Sequence, residues 1–166
     1  MSFQVTALLL TWVALAVLAL AMSGLVRQIH VLSGRRTSSQ YGPTPGTPVA
    51  DFGGLPSRDG KPLLLLFASD HCESCSQLLP LLRDLSSREQ WFHAAALFAE
   101  SAPIPMVDGL TVIENQRDVF DRLGVAAVPF GVWCDPQRRI ASSTPLGSEE
   151  ALHEFVHSAR ERMPAG

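Results

Sequence analysis

Hydrophobic and polar positions fall into two regimes along the chain. From Val5 to Val26 there are 22 residues without a charge, interrupted only by Thr6, Thr11, Ser23 and Gly24. At about 1.5 Å rise per residue, a helix of that length spans the roughly 30 Å hydrocarbon layer of a membrane. Beyond residue 48 the pattern changes to short apolar runs alternating with stretches of helical period. Leu63 to Phe67 is a continuous apolar run behind Gly60-Lys61-Pro62, which suits a strand buried on both faces. Ser74 to Ser87 carries Leu78, Leu81, Leu82 and Leu85 at helical spacing. Ala94 to Phe98 and Leu110 to Ile113 read as two further strands, and Gln116 to Leu123 as a short helix that Gly124 stops. Val128 to Cys134 reads as a strand, turned by Asp135-Pro136-Gln137 into an antiparallel partner, Arg139 to Ser142. A last helix begins at the capping residue Ser148 and carries an apolar face of Leu152, Phe155, Val156 and Ala159. The order β-α-β-α-β-β-α predicts an α/β domain with a mixed central sheet flanked by helices.

Three segments follow from this pattern. Residues 1–32 form a transmembrane anchor and its aqueous border, 33–48 a linker rich in Pro, Gly, Ser and Thr, and 49–166 the folded domain. A helix satisfies its own backbone hydrogen bonds, which lipid cannot do. A cleaved signal peptide is the alternative, since Ala19-Leu20-Ala21 offers a small-x-small site. Against it, Met1 to Gln4 contain no Lys or Arg, and the apolar run continues past Ala21.

Charge divides at the same place. The first 50 residues hold no Asp or Glu and only Arg27, Arg35 and Arg36, a formal +3; the remainder carries 10 basic and 16 acidic residues, −6. The folded part therefore lacks the positive excess that nucleic-acid binding requires. Three cysteines are too few to staple a disulfide miniprotein, and 46% apolar content is enough to build a core. The three arginines all follow the apolar run, so the positive-inside rule by itself favours a cytoplasmic domain.

The strongest chemical signal is Cys72-Glu73-Ser74-Cys75, placed where a strand gives way to a helix. Cysteines three apart across a helix start can bring their sulfurs within bonding distance. The first then lies where unpaired N–H groups and the helix dipole stabilise a thiolate, which attacks a substrate disulfide while the second cysteine resolves the mixed disulfide. Such a pair acts without a cofactor. A structural zinc site would require two more ligands from His71, His93, Cys134, His153 and His157, with no second C-x-x-C. A copper or other metal carrier using the same cysteines without turnover is the alternative from a different class. Cys134, beside Val132 and Trp133, reads as an ordinary buried cysteine. His71, Glu73 and Ser74 are the active-site neighbours. His71 can assist a thiolate or carry a proton, whereas Asp70 and Glu73 oppose negative charge on a nearby sulfur.

These residues also carry a resemblance. Phe67-Ala68-Ser69-Asp70-His71-Cys72-Glu73-Ser74-Cys75-Ser76-Gln77-Leu78-Leu79-Pro80 resembles the thioredoxin active-site segment, including a proline that interrupts the helix ladder. Gly124-Val125-Ala126-Ala127-Val128-Pro129-Phe130 is similar to the thioredoxin segment whose proline is cis. The resemblance implies a cis Pro129 beside the cysteines and backbone groups of Val128 that pair with a bound substrate. Gly46-Thr47-Pro48-Val49-Ala50-Asp51-Phe52 resembles the leading segment of membrane-anchored thioredoxins of the TlpA type. Arg27-Gln28-Ile29-His30-Val31-Leu32, together with Leu78-Leu79-Pro80 after the cysteines, is similar to the MauD family of methylamine utilisation proteins. That resemblance implies a thioredoxin fold behind one transmembrane helix, in the inner membrane of a bacterium. It places the catalytic domain outside the cytoplasm, with a Cys72–Cys75 redox-active disulfide. It also implies protein thiol or disulfide substrates such as a disulfide-rich, methylamine dehydrogenase-like partner, and a membrane or extracytoplasmic redox partner. Leu66 departs from the pattern, standing where thioredoxins keep a buried Asp. The peroxiredoxin pattern Pro-x-x-x-Thr-x-x-Cys is absent before Cys72.

Overall fold

The computed structural model describes residues 12–13, 42–49, 53–102 and 108–162. The chain divides into two units, 1–40 and 41–166. In the first, Trp12 and Val13 are helical and exposed. The rest of the expected span, 5–26, lies outside the described residues. Among those described, no helix is long and apolar enough to cross a membrane.

The second unit is built on β1 (Leu63–Ala68), every residue of which is fully buried. The run of four leucines, Phe67 and Ala68 puts apolar side chains on both faces, so helices must cover both. Leu64, Leu66 and Ala68 face α1 (Glu73–Glu89) and α3 (Glu149–Arg162), packing with Leu78, Leu82, Leu152 and Phe155. Leu63, Leu65 and Phe67 join the opposite cluster with Val119, Phe120 and Leu123 of α2 (Arg117–Leu123). Full burial of each large apolar side chain contributes on the order of 1.5–3 kcal/mol.

The remaining strands are β2 (His93–Phe98), β3 (Thr111–Ile113), β4 (Phe130–Cys134) and β5 (Ile140–Pro145). They form one sheet in the order β3-β2-β1-β4-β5, parallel from β3 to β1 and antiparallel from β1 to β5. The mixed central sheet expected from the sequence is therefore present. α1 runs through Pro80. Gly124, at φ 65°, ends α2 by donating its N–H to Asp121 and Phe120 carbonyls.

Several boundaries differ from the sequence pattern by one to three residues. β4 begins at Phe130 instead of Val128, since Pro129 has no N–H to give a ladder. β5 extends three residues past Ser142, to Pro145. Residues 42–48, read from the sequence as the end of the spacer, are hydrogen-bonded to the domain. Gly46 N–H donates to Ile140 O at 2.7 Å, Ile140 N–H to Thr47 O at 3.0 Å, and Val49 N–H to Arg138 O at 2.8 Å. Pro48 bridges Arg139 in antiparallel sense. Proline and glycine conceal this pairing, because neither has strand propensity and the partner lies about ninety residues away.

Candidate active site

β1 delivers the chain to the site. After Ala68 the backbone turns, and Cys72 N–H donates to Ser69 O at 3.3 Å. Cys72 is the N-cap of α1, in an extended conformation at φ −100°, and its Sγ accepts the Cys75 N–H at 3.2 Å. Its carbonyl accepts the Ser76 N–H at 3.2 Å. The sulfur thus occupies the place of a capping side-chain oxygen, against N–H groups that the helix leaves unpaired. Cys72 and Cys75 are disulfide-linked with Cα atoms 5.2 Å apart. They are not equivalent. Cys75 is completely buried in the cluster of Leu78, Leu79 and Leu82, whereas Cys72 is half-buried at its edge.

The register of the central ladder brings in the second segment. Phe67 pairs with Phe130, so Pro129 and Val128 continue past β4 at the sheet end where Ser69 to Cys72 leave β1. The Val128–Pro129 peptide is cis. Val128 packs against the same cluster as Cys72. The Pro129 carbonyl accepts the Leu146 N–H at 2.9 Å.

The turn before Cys72 has its own hydrogen bonding. Ser69 Oγ donates to Asp70 Oδ1 at 3.2 Å and accepts the His71 N–H at 3.3 Å. Asp70 Oδ2 lies 3.4 Å from His71 Nε2. Glu73 is exposed in the first helical turn, and Ser74 is half-buried. The sequence pattern does not single out Ser69. Its only signal is a Ser-Asp pair in a turn, where hydroxyl and carboxylate side chains bond nearby backbone.

The other candidates lie elsewhere. His93 Nε2 is 2.9 Å from both Asp59 carboxylate oxygens. His153 and His157 are exposed on α3, near Glu149 and Glu161 respectively. Among the described residues, no three His, Cys, Asp or Glu side chains gather to hold a metal ion. Cys134 is fully buried on β4 opposite Leu63, at the end of β1 away from the disulfide. Burial pushes its thiol up to about 12, with Arg138 opposing and Asp135 adding to the shift.

Comparison with solved structures finds the same architecture. A Chlorobium tepidum protein assigned as the thiol:disulfide interchange protein DsbE superposes with a TM-score of 0.56 and 19% identity, covering 70% of this chain and 98% of that one. A thioredoxin-like protein from Porphyromonas gingivalis gives 0.51 and 19%, covering 62% and 76%. The fold is that of thioredoxin. Among curated proteins, the methylamine utilization protein MauD of Methylorubrum extorquens is 24% identical over 181 aligned positions, covering 95% of this chain and 87% of the relative. The protein of the same name from Methylophilus methylotrophus is 27% identical over 175 positions, covering 92% and 82%.

The chain is a MauD-like protein of thioredoxin fold. No family model matches it. The MauD likeness extends over nearly the whole chain, including the uncharged N-terminal run. Within the MauD-like domain, the position of the expected buried Asp is Leu66, fully buried among Leu64, Ala68 and Cys75.

Proposed function

We propose that this chain is a thiol–disulfide oxidoreductase acting on protein disulfides, with Cys72 as nucleophile and Cys75 as resolving cysteine. The asymmetry of the pair carries the reading. Cys72 is half-buried at the surface of the core and its Sγ receives a backbone N–H at the start of α1, which favours negative charge on that sulfur. Cys75 is sealed beneath it, within bonding distance, and positioned to displace a bound substrate. Val128 and Pro129 form the platform against which the substrate strand lies. The thioredoxin fold and the MauD relatives both support this chemistry.

The relatives' name refers to methylamine utilization. Carried to this chain, it makes a disulfide-rich, methylamine dehydrogenase-like subunit the first substrate to test. Membrane tethering through residues 5–26, with the domain outside the cytoplasm, belongs to the same proposal. It is supported by the uncharged run and by the persistence of disulfides in that compartment.

Exchange is tested by insulin reduction and by refolding of a scrambled disulfide protein. Cys72→Ser abolishes both, and Cys75→Ser accumulates mixed disulfides visible on a non-reducing gel. A fully active Cys72→Ser variant overturns the assignment. Alkaline phosphatase and green fluorescent protein fused at the C-terminus report the side of the membrane: phosphatase activity without fluorescence is expected, and the opposite pattern rejects an extracytoplasmic domain.

A further inference from the structure

Thiol exchange moves protons as well as electrons, and the surroundings of the disulfide determine where those protons go. Among the described residues, no acid or base lies buried beneath it. The buried polar or charged residues among those described are Arg138 and Ser143. Arg138 lies at the β4–β5 turn and Ser143 within β5, two strands from β1. Leu64, Leu66, Ala68, Leu78 and Leu82 surround Cys75 instead. Proton transfer is therefore confined to the outer side.

Among the described residues, the ionisable groups on that side include Asp70, His71 and Glu73, together with Glu100 and Arg117 across a cleft of about 120 Å³. Arg117 and Glu100 neutralise each other at 2.6 Å. An ionised carboxylate is an acceptor only and has no proton to return to a leaving sulfur. A histidine can both take and return one. His71 adjoins Cys72, its side chain is 89% exposed, and it faces Asp70 at 3.4 Å. Asp70 is itself fixed by the Ser69 hydroxyl.

We propose that His71 is the proton-transfer group for disulfide exchange at Cys72, with Asp70 and Ser69 as its positioning residues. The proposal rests on the oxidoreductase reading and specifies the machinery of the same site. In the reducing direction, the Cys72 thiol gives its proton to the imidazole as Sγ attacks a substrate disulfide. The Sγ–S bond forms, the substrate S–S bond breaks, and the leaving sulfur takes the proton from the imidazolium. The Cys75 sulfur then attacks Cys72 Sγ and breaks the mixed disulfide. The second substrate sulfur leaves as a thiol, taking the proton that Cys75 gives up. Two electrons pass to the substrate, and the protein dithiol becomes the Cys72–Cys75 disulfide. The same steps reversed oxidise a substrate dithiol.

The experiment follows single-turnover oxidation of the reduced full chain by oxidised glutathione between pH 5 and 9. It compares wild type, His71→Gln, His71→Ala, Asp70→Asn and Cys72→Ser. His71→Gln lowers the rate near neutral pH by about 100-fold, the low end for a positioned base, and loses the inflection between about pH 5 and 8. Asp70→Asn keeps the inflection and lowers the rate less than His71→Gln does, because it loosens the position of the ring without removing the proton-transfer group. Added imidazole restores His71→Ala. A His71→Gln profile that overlays wild type while Cys72→Ser is inactive overturns the role of His71 and leaves the oxidoreductase reading standing. A slower His71→Gln with an unchanged inflection and no imidazole rescue also overturns it, since that is a structural effect. Activity in Cys72→Ser overturns the underlying reading itself.

Discussion

Phe67 and Phe130 are register partners in the antiparallel β1–β4 ladder, and this pairing assembles the site. Past Ala68, one residue beyond it, the chain turns to Cys72; just ahead of β4 lies the cis Val128–Pro129 bond. Two segments more than fifty residues apart in the chain are thereby brought to one sheet end by backbone hydrogen bonds. A one-residue slip would move every side chain of β1 to the wrong face. Phe67 is fixed further by an edge-to-face contact with Phe120, with centroids 4.8 Å apart.

Cys134 gives the fold an alkaline weakness. Its thiol is raised from 9.0 to about 12 in the folded state, mainly by burial. As pH rises above about 9 the unfolded chain loses this proton while the folded chain retains it until about 12. The unfolded state then binds fewer protons, so this contribution to stability is complete below pH 9 and is lost across that window. The slope approaches roughly 1.4 kcal/mol per pH unit. Urea titrations at pH 8, 9.5 and 10.5 measure it, and Cys134→Ala flattens it. Disulfide exchange in Cys134→Ala stays at the wild-type rate, because this thiol lies at the far end of β1.

The Asp59–His93 contact acts at the acid end. The hydrogen bond from His93 holds the Asp59 carboxyl below its usual value of 3.8. A depressed carboxyl stabilises above its unfolded pKa and loses that contribution as pH falls through the folded value. Hydrogen exchange between pH 6 and 3 is expected to show the segment leading to β1 opening earlier than the sheet. Asp59→Asn removes the pH dependence of that opening.

Gly131 has a packing reason to be glycine. A Cβ there would lie 2.7 Å from Leu146 Cδ1 and 2.8 Å from Phe155 Cε1. Gly131→Ala forces α3 and the Leu146 segment outward and costs about 1–3 kcal/mol, read as a lower thermal midpoint. The disulfide still forms, which titration of accessible thiols verifies.

Ser148 caps α3. Its Oγ accepts the Ala151 N–H at 3.3 Å, and the Glu150 carboxyl is held below the usual range first by its own backbone N–H and then by the Ser148 hydroxyl. Ser148→Ala costs about 1 kcal/mol in chemical denaturation. It also moves the Glu150 carboxyl only part of the way back toward its ordinary value, because the bond from its own backbone N–H remains, and side-chain carboxyl NMR follows this.

Legibility in the sequence varied with how local each feature is. β1, α1 and the Cys72–Cys75 turn are local: an apolar run, a helical stripe and a three-residue spacing contain the information. The same holds for Gly124 ending α2 and Ser148 capping α3. What the pattern hid depends on distant partners. Arg138 sits between Gln137 and Arg139 in what reads as a solvated turn, yet only 2% of it is exposed, because its guanidinium reaches the Pro56 carbonyl at 2.6 Å. Ser69 looks like any turn serine until the backbone folds its hydroxyl between Asp70 and the His71 amide.

The backbone hydrogen bonds between Gly46, Thr47 and Val49 on one side and Ile140 and Arg138 on the other have a mechanical consequence. Tension arriving from the upstream chain meets them first and must peel this segment off β5 before any force enters the sheet. The chain runs on from this segment into β1, so these bonds stand between an upstream pull and the strand that aims Cys72. The domain can be tugged by whatever holds its N-terminal side while the geometry of its two sulfurs stays unchanged.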